Sequence, residues 1–286
     1  GRGAGGAGGR AGAAGALAGR GAAAAGRGGR GGGRGAGPVS TLIKPCETVG
    51  DPRQRGNWVA PTIVSPHNPN VIYHGFQALY RSRDRGATWT QISGDLSNNV
   101  TERIGRVPHQ LIFTISESPV TPGIIYAGTD DGNVQVTRDY GKTWTNVASK
   151  LPQRLWVNKI AASAFDEGTV YVAQSGRYDD DFGVYLYKST NYGQTFTSIG
   201  ANIPAGSVMG FVEDPKDARI LYAGTDQGVY VTTNGGQSWS ALGANLPSVG
   251  IYDMVVHPRD DVLVAATHGR GFWVFDVQPV RASLGR

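Results

Sequence analysis

Ser82-Arg83-Asp84-Arg85-Gly86-Ala87-Thr88-Trp89 reads as a tight β-corner, and the chain writes that corner four times. The other copies are Thr137-Arg138-Asp139-Tyr140-Gly141-Lys142-Thr143-Trp144, Ser189-Thr190-Asn191-Tyr192-Gly193-Gln194-Thr195-Phe196 and Thr232-Thr233-Asn234-Gly235-Gly236-Gln237-Ser238-Trp239. All obey Ser/Thr-x-Asp/Asn-x-Gly-x-Ser/Thr-aromatic. An Asp or Asn side chain accepts hydrogen bonds from backbone N–H groups two residues on and closes an Asx-turn. Gly two places later supplies a positive φ that a Cβ would penalise. The second hydroxyl ties the returning strand to the turn, and the aromatic ring covers the hairpin. The pattern therefore gives a structural part to Asp84, Gly86 and Trp89, to Asp139, Gly141 and Trp144, to Asn191, Gly193 and Phe196, and to Asn234, Gly236 and Trp239.

The corners recur every 43 to 55 residues, a spacing typical of propellers and repeat arrays. Between them lie short runs rich in β-branched and aromatic residues, separated by turn residues. The first unit reads Trp58–Val64, Val71–Phe76, Leu79–Arg83 and Thr88–Ser93, and three further units follow the same plan. A fifth offers only Ile251–His257, Val262–Ala266 and Phe272–Phe275. Pro-containing turns join first and second strands: Ser65-Pro66-His67, Ser118-Pro119-Val120, Asp214-Pro215-Lys216 and His257-Pro258-Arg259. His67 and His257 sit there as spacers. Helical periodicity is sustained nowhere. The expected fold is all-β, a propeller of four-stranded antiparallel blades over residues 57–278. Blades bury their faces only by stacking, so closure is needed. Either Val39–Ile43 completes the fifth unit, or five units belong to a larger ring; the second is preferred.

Residues 1–37 stand apart, with 18 Gly, 12 Ala, 6 Arg and one Leu. Such a tract buries too little apolar surface to offset its ordering entropy and is expected to be disordered, as a linker or insertion. It carries +6 of the chain's net +5, which leaves −1 for the remainder. The basic balance therefore belongs to the tract. The tract lacks the aromatics that stack on bases, and no nucleic-acid partner is expected for the propeller. Residues 38–56 form an irregular lead-in, and residues 279–286 a tail. With no initiator Met and no secretion signal, the chain reads as a piece of something longer, with further blades or a second propeller expected ahead of it. The single Cys46 excludes an intrachain disulfide and a Cys-based zinc site. No apolar run is long enough to span a membrane. No cofactor or metal is expected.

The four corners resemble Asp-boxes, the bacterial neuraminidase repeats. With Ser65-Pro66-His67-Asn68-Pro69, Tyr126-Ala127-Gly128-Thr129-Asp130-Asp131-Gly132 and Thr267-His268-Gly269-Arg270-Gly271, the chain most resembles large bacterial glycosyl-hydrolase-like or sortilin-like repeat proteins. The resemblance covers residues 57–277 and implies a propeller and a location outside the cytoplasm. It says little about activity, because one fold hosts many functions. Arg106-Val107-Pro108 is similar to the Arg-Ile-Pro of sialidases, but it stands alone and follows a corner rather than preceding the first. A sortilin-type receptor would carry a Cys-rich module, which one Cys cannot make.

In an up-and-down blade the corners and Pro turns share one end. The loops joining second to third strands share the other with the inter-blade crossovers. That second end collects the candidate site: Asp130 and Asp131, the loop Ser175–Gly183, Asp226, and His268 with Arg270. Crossovers add Arg106, His109 and Trp156, the last a platform for a sugar ring or a wedge between blades. The loop Arg177-Tyr178-Asp179-Asp180-Asp181 is longer than a turn needs, and extra length at a propeller mouth is more often functional. The favoured function is binding of a glycan or protein at this mouth, through Arg106, His109, Trp156, Arg177, Tyr178, Asp180, His268 and Arg270. The alternative is part of a glycoside hydrolase, with a carboxyl pair drawn from Asp130, Asp131, Asp179, Asp181 and Asp226. Such pairs stand about 5–5.5 Å apart in retaining enzymes and about 6.5–9.5 Å in inverting ones.

Overall fold

The computed structural model describes residues 43–45, 54–56, 59–151, 154–204, 206–243 and 245–285. The Gly/Ala/Arg tract, Val39–Leu42, Cys46 and Trp58 lie outside the described residues. Blade one comprises β1 (Thr62–Val64), β2 (Ile72–Gly75), β3 (Leu79–Ser82) and β4 (Thr90–Gln91). Blade two comprises β5 (Ile112–Glu117), β6 (Ile125–Thr129), β7 (Val134–Thr137) and β8 (Thr145–Asn146). Blade three comprises β9 (Trp156–Ala162), β10 (Val170–Gly176), β11 (Asp181–Ser189) and β12 (Thr197–Ser198). Blade four comprises β13 (Val208–Glu213), β14 (Leu221–Thr225), β15 (Gly228–Thr232) and β16 (Ser240–Leu242). Blade five has three strands, β17 (Ile251–His257), β18 (Val262–Thr267) and β19 (Phe272–Asp276).

Every sheet is an antiparallel meander, and first strands touch in chain order: β1 with β5, β5 with β9, β9 with β13, β13 with β17. That contact pattern is a β-propeller's. Fourth strands are shorter than the residue pattern predicts, because Thr88, Thr143, Thr195 and Ser238 are held in the corners instead. The loop expected over Ser175–Gly183 also shrinks. Strand pairing runs in as far as Gly176 and Asp181, leaving a short 3-10 turn, Arg177–Asp179, and Asp180 in the left-handed region at φ 57°. The expected tail is not free. It forms α1 (Gln278–Ala282), whose Arg281 pairs with buried Asp214 at 2.9 Å, and its Val280 packs against the core shared by blades four and five.

The corners use one set of bonds. The Ser82 hydroxyl donates to Asp84 at 2.8 Å and accepts from the Gly86 N–H at 2.7 Å. Asp84 Oδ1 accepts from the Thr88 N–H at 2.8 Å, and Oδ2 from its hydroxyl at 2.6 Å. The carboxylate thus reaches four residues ahead, not two. The two-residue Asx bond expected from the sequence is replaced by the Ser82 hydroxyl, which takes the Asp84 N–H at 3.3 Å. Asp139 repeats the arrangement. In Asn191 and Asn234 the geometry survives with one bond reversed: the amide Nδ2 donates to the Thr195 and Ser238 hydroxyls at 3.0 and 2.8 Å. The residue after each Asp or Asn donates its N–H to the turn between first and second strands of its own blade, a turn that contains Pro in blades one, two and four and none in blade three. The pairs are Arg85 to Asn70, Tyr140 to Gly123, Tyr192 to Gly168 and Gly235 to Arg219, at 2.8–3.1 Å. Corners and Pro turns therefore do share one end. His67 does more than space its turn, since its Nε2 meets the Ser118 carbonyl at 2.8 Å and links blades one and two.

Inter-blade packing rests on a residue the repeat pattern leaves unremarked. Tyr73, Tyr126, Tyr171 and Tyr222 occupy the same place in the second strands, are fully buried, and face the next blade. Tyr73 donates to Glu117 at 3.1 Å, and Tyr171 to Glu213 at 2.9 Å. Burial drives all four phenols above their ordinary range. Burying such a side chain contributes roughly 1.5–3 kcal/mol, which makes this row a principal source of cohesion. The corner aromatics add to it: Trp144 and Trp239 donate Nε1–H to the carbonyls of Ile92 and Ile199 in the preceding blades, at 3.0 and 2.6 Å.

Candidate functional site

At the other end, the second-to-third-strand loops are tied to the crossovers. Asp130 accepts the N–H groups of Leu111, at 2.9 Å, and His109. Its repeat counterpart Asp226 accepts the Ser207 N–H at 3.1 Å. Asp131 accepts the Asn98 N–H at 2.7 Å and the Thr129 hydroxyl. Asp181 holds its own hairpin through the Gly183 N–H at 2.9 Å and the Tyr185 hydroxyl at 2.6 Å. Four of the five candidate carboxylates thus already hold loop structure together, Asp130, Asp131 and Asp226 by bonds to crossover N–H groups and Asp181 by bonds within its own hairpin. Burial lifts the Asp130 carboxyl to about 6, against the pull of its two N–H partners.

The axis holds a cavity of about 680 Å³ to which every blade contributes. Its wall includes Phe113, Asn158, Met209 and Tyr252, and these four share one structural cause. Each occupies the register shift in its blade's first strand: between Ile112 and Thr114, Val157 and Lys159, Val208 and Gly210, Ile251 and Asp253. A β-bulge inserts one unpaired residue and re-aims its side chain. Here the extra residue goes to the axis. The sequence reading missed Phe113, Met209 and Tyr252, because a residue inserted at the same place in each of these repeats leaves no mismatch between them and shows only in the pairing with the second strand.

Trp156, Arg177 and Tyr178 also line this cavity. Trp156 is buried, with Phe113 edge-on at 5.1 Å and Tyr178 stacked on it at 4.7 Å and 28°. The aromatic surface offered to solvent is therefore Tyr178, 62% exposed, with Trp156 as its base. The axial cavity adjoins two others. One of about 420 Å³ shares Arg177 and Tyr252 and adds Phe182, Asp226 and His268. Within it Arg177 lies 3.5 Å from Asp226 and 3.4 Å from the Tyr252 hydroxyl, and the Tyr252 and His268 rings are 5.0 Å apart. The other, about 620 Å³, shares Trp156 and Tyr178 and adds Arg103, Asp130, Asp131, Arg154 and Asp179. Lys159 reaches across the axis to Asp253 at 2.6 Å.

Of the residues singled out from sequence, Trp156, Arg177, Tyr178, Asp130, Asp131, Asp179, Asp226 and His268 thus border one connected mouth. Arg106, His109, Asp180, Asp181 and Arg270 are not in its walls. Among the described residues no group of three or more His, Cys, Asp or Glu side chains is placed to hold a metal ion, and no helix is long and apolar enough to cross a membrane.

Repeat, corner and radial stacking together make this chain an Asp-box β-propeller. The BNR-Asp box repeat family model matches residues 79–92, and the BNR/Asp-box repeat model matches residues 230–241, which are the first and fourth corners. No curated protein sequence matches the chain. Among solved structures it is similar to the GH74 xyloglucanase of Xanthomonas campestris, with TM-score 0.61 and 16% identity over 82% of this chain and 37% of that one. An ancestral GH74 enzyme gives TM-score 0.58 and 20% identity over 75% and 28%. YCF48 from Cyanidioschyzon merolae gives 0.51 and 14% over 75% and 66%. The chain spans less than two fifths of these two GH74 chains' length. At such identities the likeness concerns fold.

Proposed function

We propose that this propeller is a binding module outside the cytoplasm that takes a glycan or an extended protein segment into its axial mouth. The observation that carries the reading is the aromatic stack of Tyr178 on Trp156 where two of the cavities meet, with Arg177 beside it. An exposed ring on a buried base offers a flat apolar face at low entropic cost, which suits a pyranose or a peptide side chain. Arg177, Asp226, Lys159 and Asp253 supply polar groups that fix orientation, as a pocket with few placed polar residues does. The engagement of four candidate carboxylates in loop bonds favours binding over hydrolysis. Glycan-array and peptide-array screening of the chain, followed by Tyr178→Ala and Arg177→Ala, tests the reading. Retained binding in both variants would place the ligand elsewhere.

One observation favours part of a glycoside hydrolase instead. Asp130, with its raised carboxyl, borders the same cavity as Asp179, and a general acid needs such a raised value. Release of reducing sugar from xyloglucan that is lost in Asp130→Asn and in Asp179→Asn would establish it. Absence of turnover on β-glucans would set it aside.

A further inference from the structure

Each of blades one to four covers its back face with the front face of the next. Ile63, Tyr73 and Leu79 pack on Ile112, Ile115 and Ile125, and Val212, Tyr222 and Val229 pack on Ile251, Met254 and Leu263. The register carries this face into blade five. Val212, Tyr222 and Val231 are cross-strand neighbours in blade four, and Val255, Val264 and Val274 hold the same places in blade five. There no described residue covers them: Phe272 is 76% exposed, Val274 62% and Val255 58%. The inner edge of blade one's front face is open as well, with Val64 55% exposed, while Ile72 and Ser82, the next residues across that face, are buried.

Two further features say what belongs between these faces. The corner glycines of blades two to four each back on the residue that directly follows the fourth strand of the blade before and continues its line. A Cβ on Gly141, Gly193 or Gly236 would lie within 3.2 Å of the Cβ of Ile92, Val147 or Ile199. A Cβ on Gly86 would meet Ile43 Cβ at 2.6 Å in the same way. Ile43 therefore holds the place that continues the fourth strand of a blade standing before blade one. Blade five does not supply that blade's inner strands. Among the described residues no strand pairs with the outer edge of its β19, and no backbone bond joins Ile43 to it. The interface chemistry also differs from the interior of the stack. Where Tyr73 meets Glu117 and Tyr171 meets Glu213, blade five's back face offers Val264 and blade one's front face offers Val64.

We infer that the back face of blade five and the front face of blade one are the walls of a slot that receives a further Asp-box blade, with Ile43 in its outer strand. Exposed apolar sheet faces of this kind mark interaction sites, and continuity with the four existing blade contacts selects a blade rather than a loop or helix. The residue this blade sets against Val264 is apolar rather than Glu, since a carboxylate there would be buried without its phenol.

The test places a thiol on the wall. Val274→Cys in a Cys46→Ser background is labelled with a maleimide in the chain of residues 1–286. It is then labelled in a chain where a second copy of residues 154–199 replaces residues 1–43, so that the copied Ile199 stands where Ile43 does. The slot predicts labelling at the rate of a free thiol in the first and at least about tenfold slower labelling in the second. Equal rates with the additional strands visible by circular dichroism would overturn it. So would protection in the first chain, whether by its own residues or, if concentration-dependent, by a second copy. Should the lengthened chain fail to fold, Phe272→Ser/Val274→Ser in residues 1–286 decides. An empty wall predicts a Tm change under about 2 °C, and a fall of more than about 5 °C means the face is already covered.

Discussion

The two ends of this propeller are built from the same strands and obey different rules. At the corner end, all four octapeptides make the same bond from the glycine N–H to the leading hydroxyl, and the corner glycines of blades two to four are pressed against the blade before them. At the mouth end, equivalent loops carry Asp130, Tyr178, Asp226 and His268, and the bulges place Phe, Asn, Met and Tyr around one axis. A position that must satisfy the same backbone groups in every blade cannot vary. A position facing solvent at the axis is free to carry whatever a ligand requires.

The largest test of that contrast uses glycines with positive φ at each end. Gly141, at φ 90°, would place a Cβ 2.6 Å from the Ile92 carbonyl oxygen, whereas Gly269, at φ 81°, would place one in open space. Gly141→Ala should cost about 3 kcal/mol or more from backbone strain and overpacking together. Gly269→Ala should cost about 1 kcal/mol. Urea denaturation of both variants checks the difference, and equal losses would erase it.

Acid titration separates the ends by sign. Hydrogen bonds from Thr88 and Thr143 hold the Asp84 and Asp139 carboxyls at about 2. Their contribution is present above the unfolded value near 3.8 and is lost as pH falls toward 2. Asn191 and Asn234 do not titrate, so Asp84→Asn/Asp139→Asn should flatten the stability curve below pH 4 with little change at neutral pH. Burial raises Asp130 to about 6, so its contribution runs the other way, falling as pH rises from about 4 to 6. Asp130→Asn should remove that slope alone. Thermal melts from pH 2 to 7 check both, and a single common slope would show that the ends are not distinct. The smallest expected effect on stability is that of Tyr178→Ala, within about 0.5 kcal/mol of the parent, because most of its ring is in water. Its effect should fall on ligand affinity, as titration calorimetry with a ligand from the array screen would show.

Much of the fold was legible because corner chemistry is local. Ser82, Asp84, Gly86 and Thr88 find their partners within a few residues, so the octapeptide carries its own explanation. The grouping of loops by end also followed from alternation of strand direction alone. The site was legible only in outline. Asp130 and Asp131 read as candidate catalysts because their bonds to His109, Leu111 and Asn98 span many residues and leave no periodic trace. Trp156 read equally as a platform for a sugar ring or as a wedge between blades, and the chain buries it with Tyr178 stacked over it.

By itself the sequence determined a radial stack of small antiparallel sheets, since each corner's hydrogen bonds close within eight residues and their recurrence demands repeated neighbours. Only the tertiary structure decided which side chains meet at the axis and which faces stay open. A bulge exists only relative to the strand it pairs with, and a face is buried only if another sheet stands against it. Phe113, Asn158, Met209 and Tyr252 acquire their place from pairing, and Val255, Phe272 and Val274 stay exposed because no described sheet stands against them.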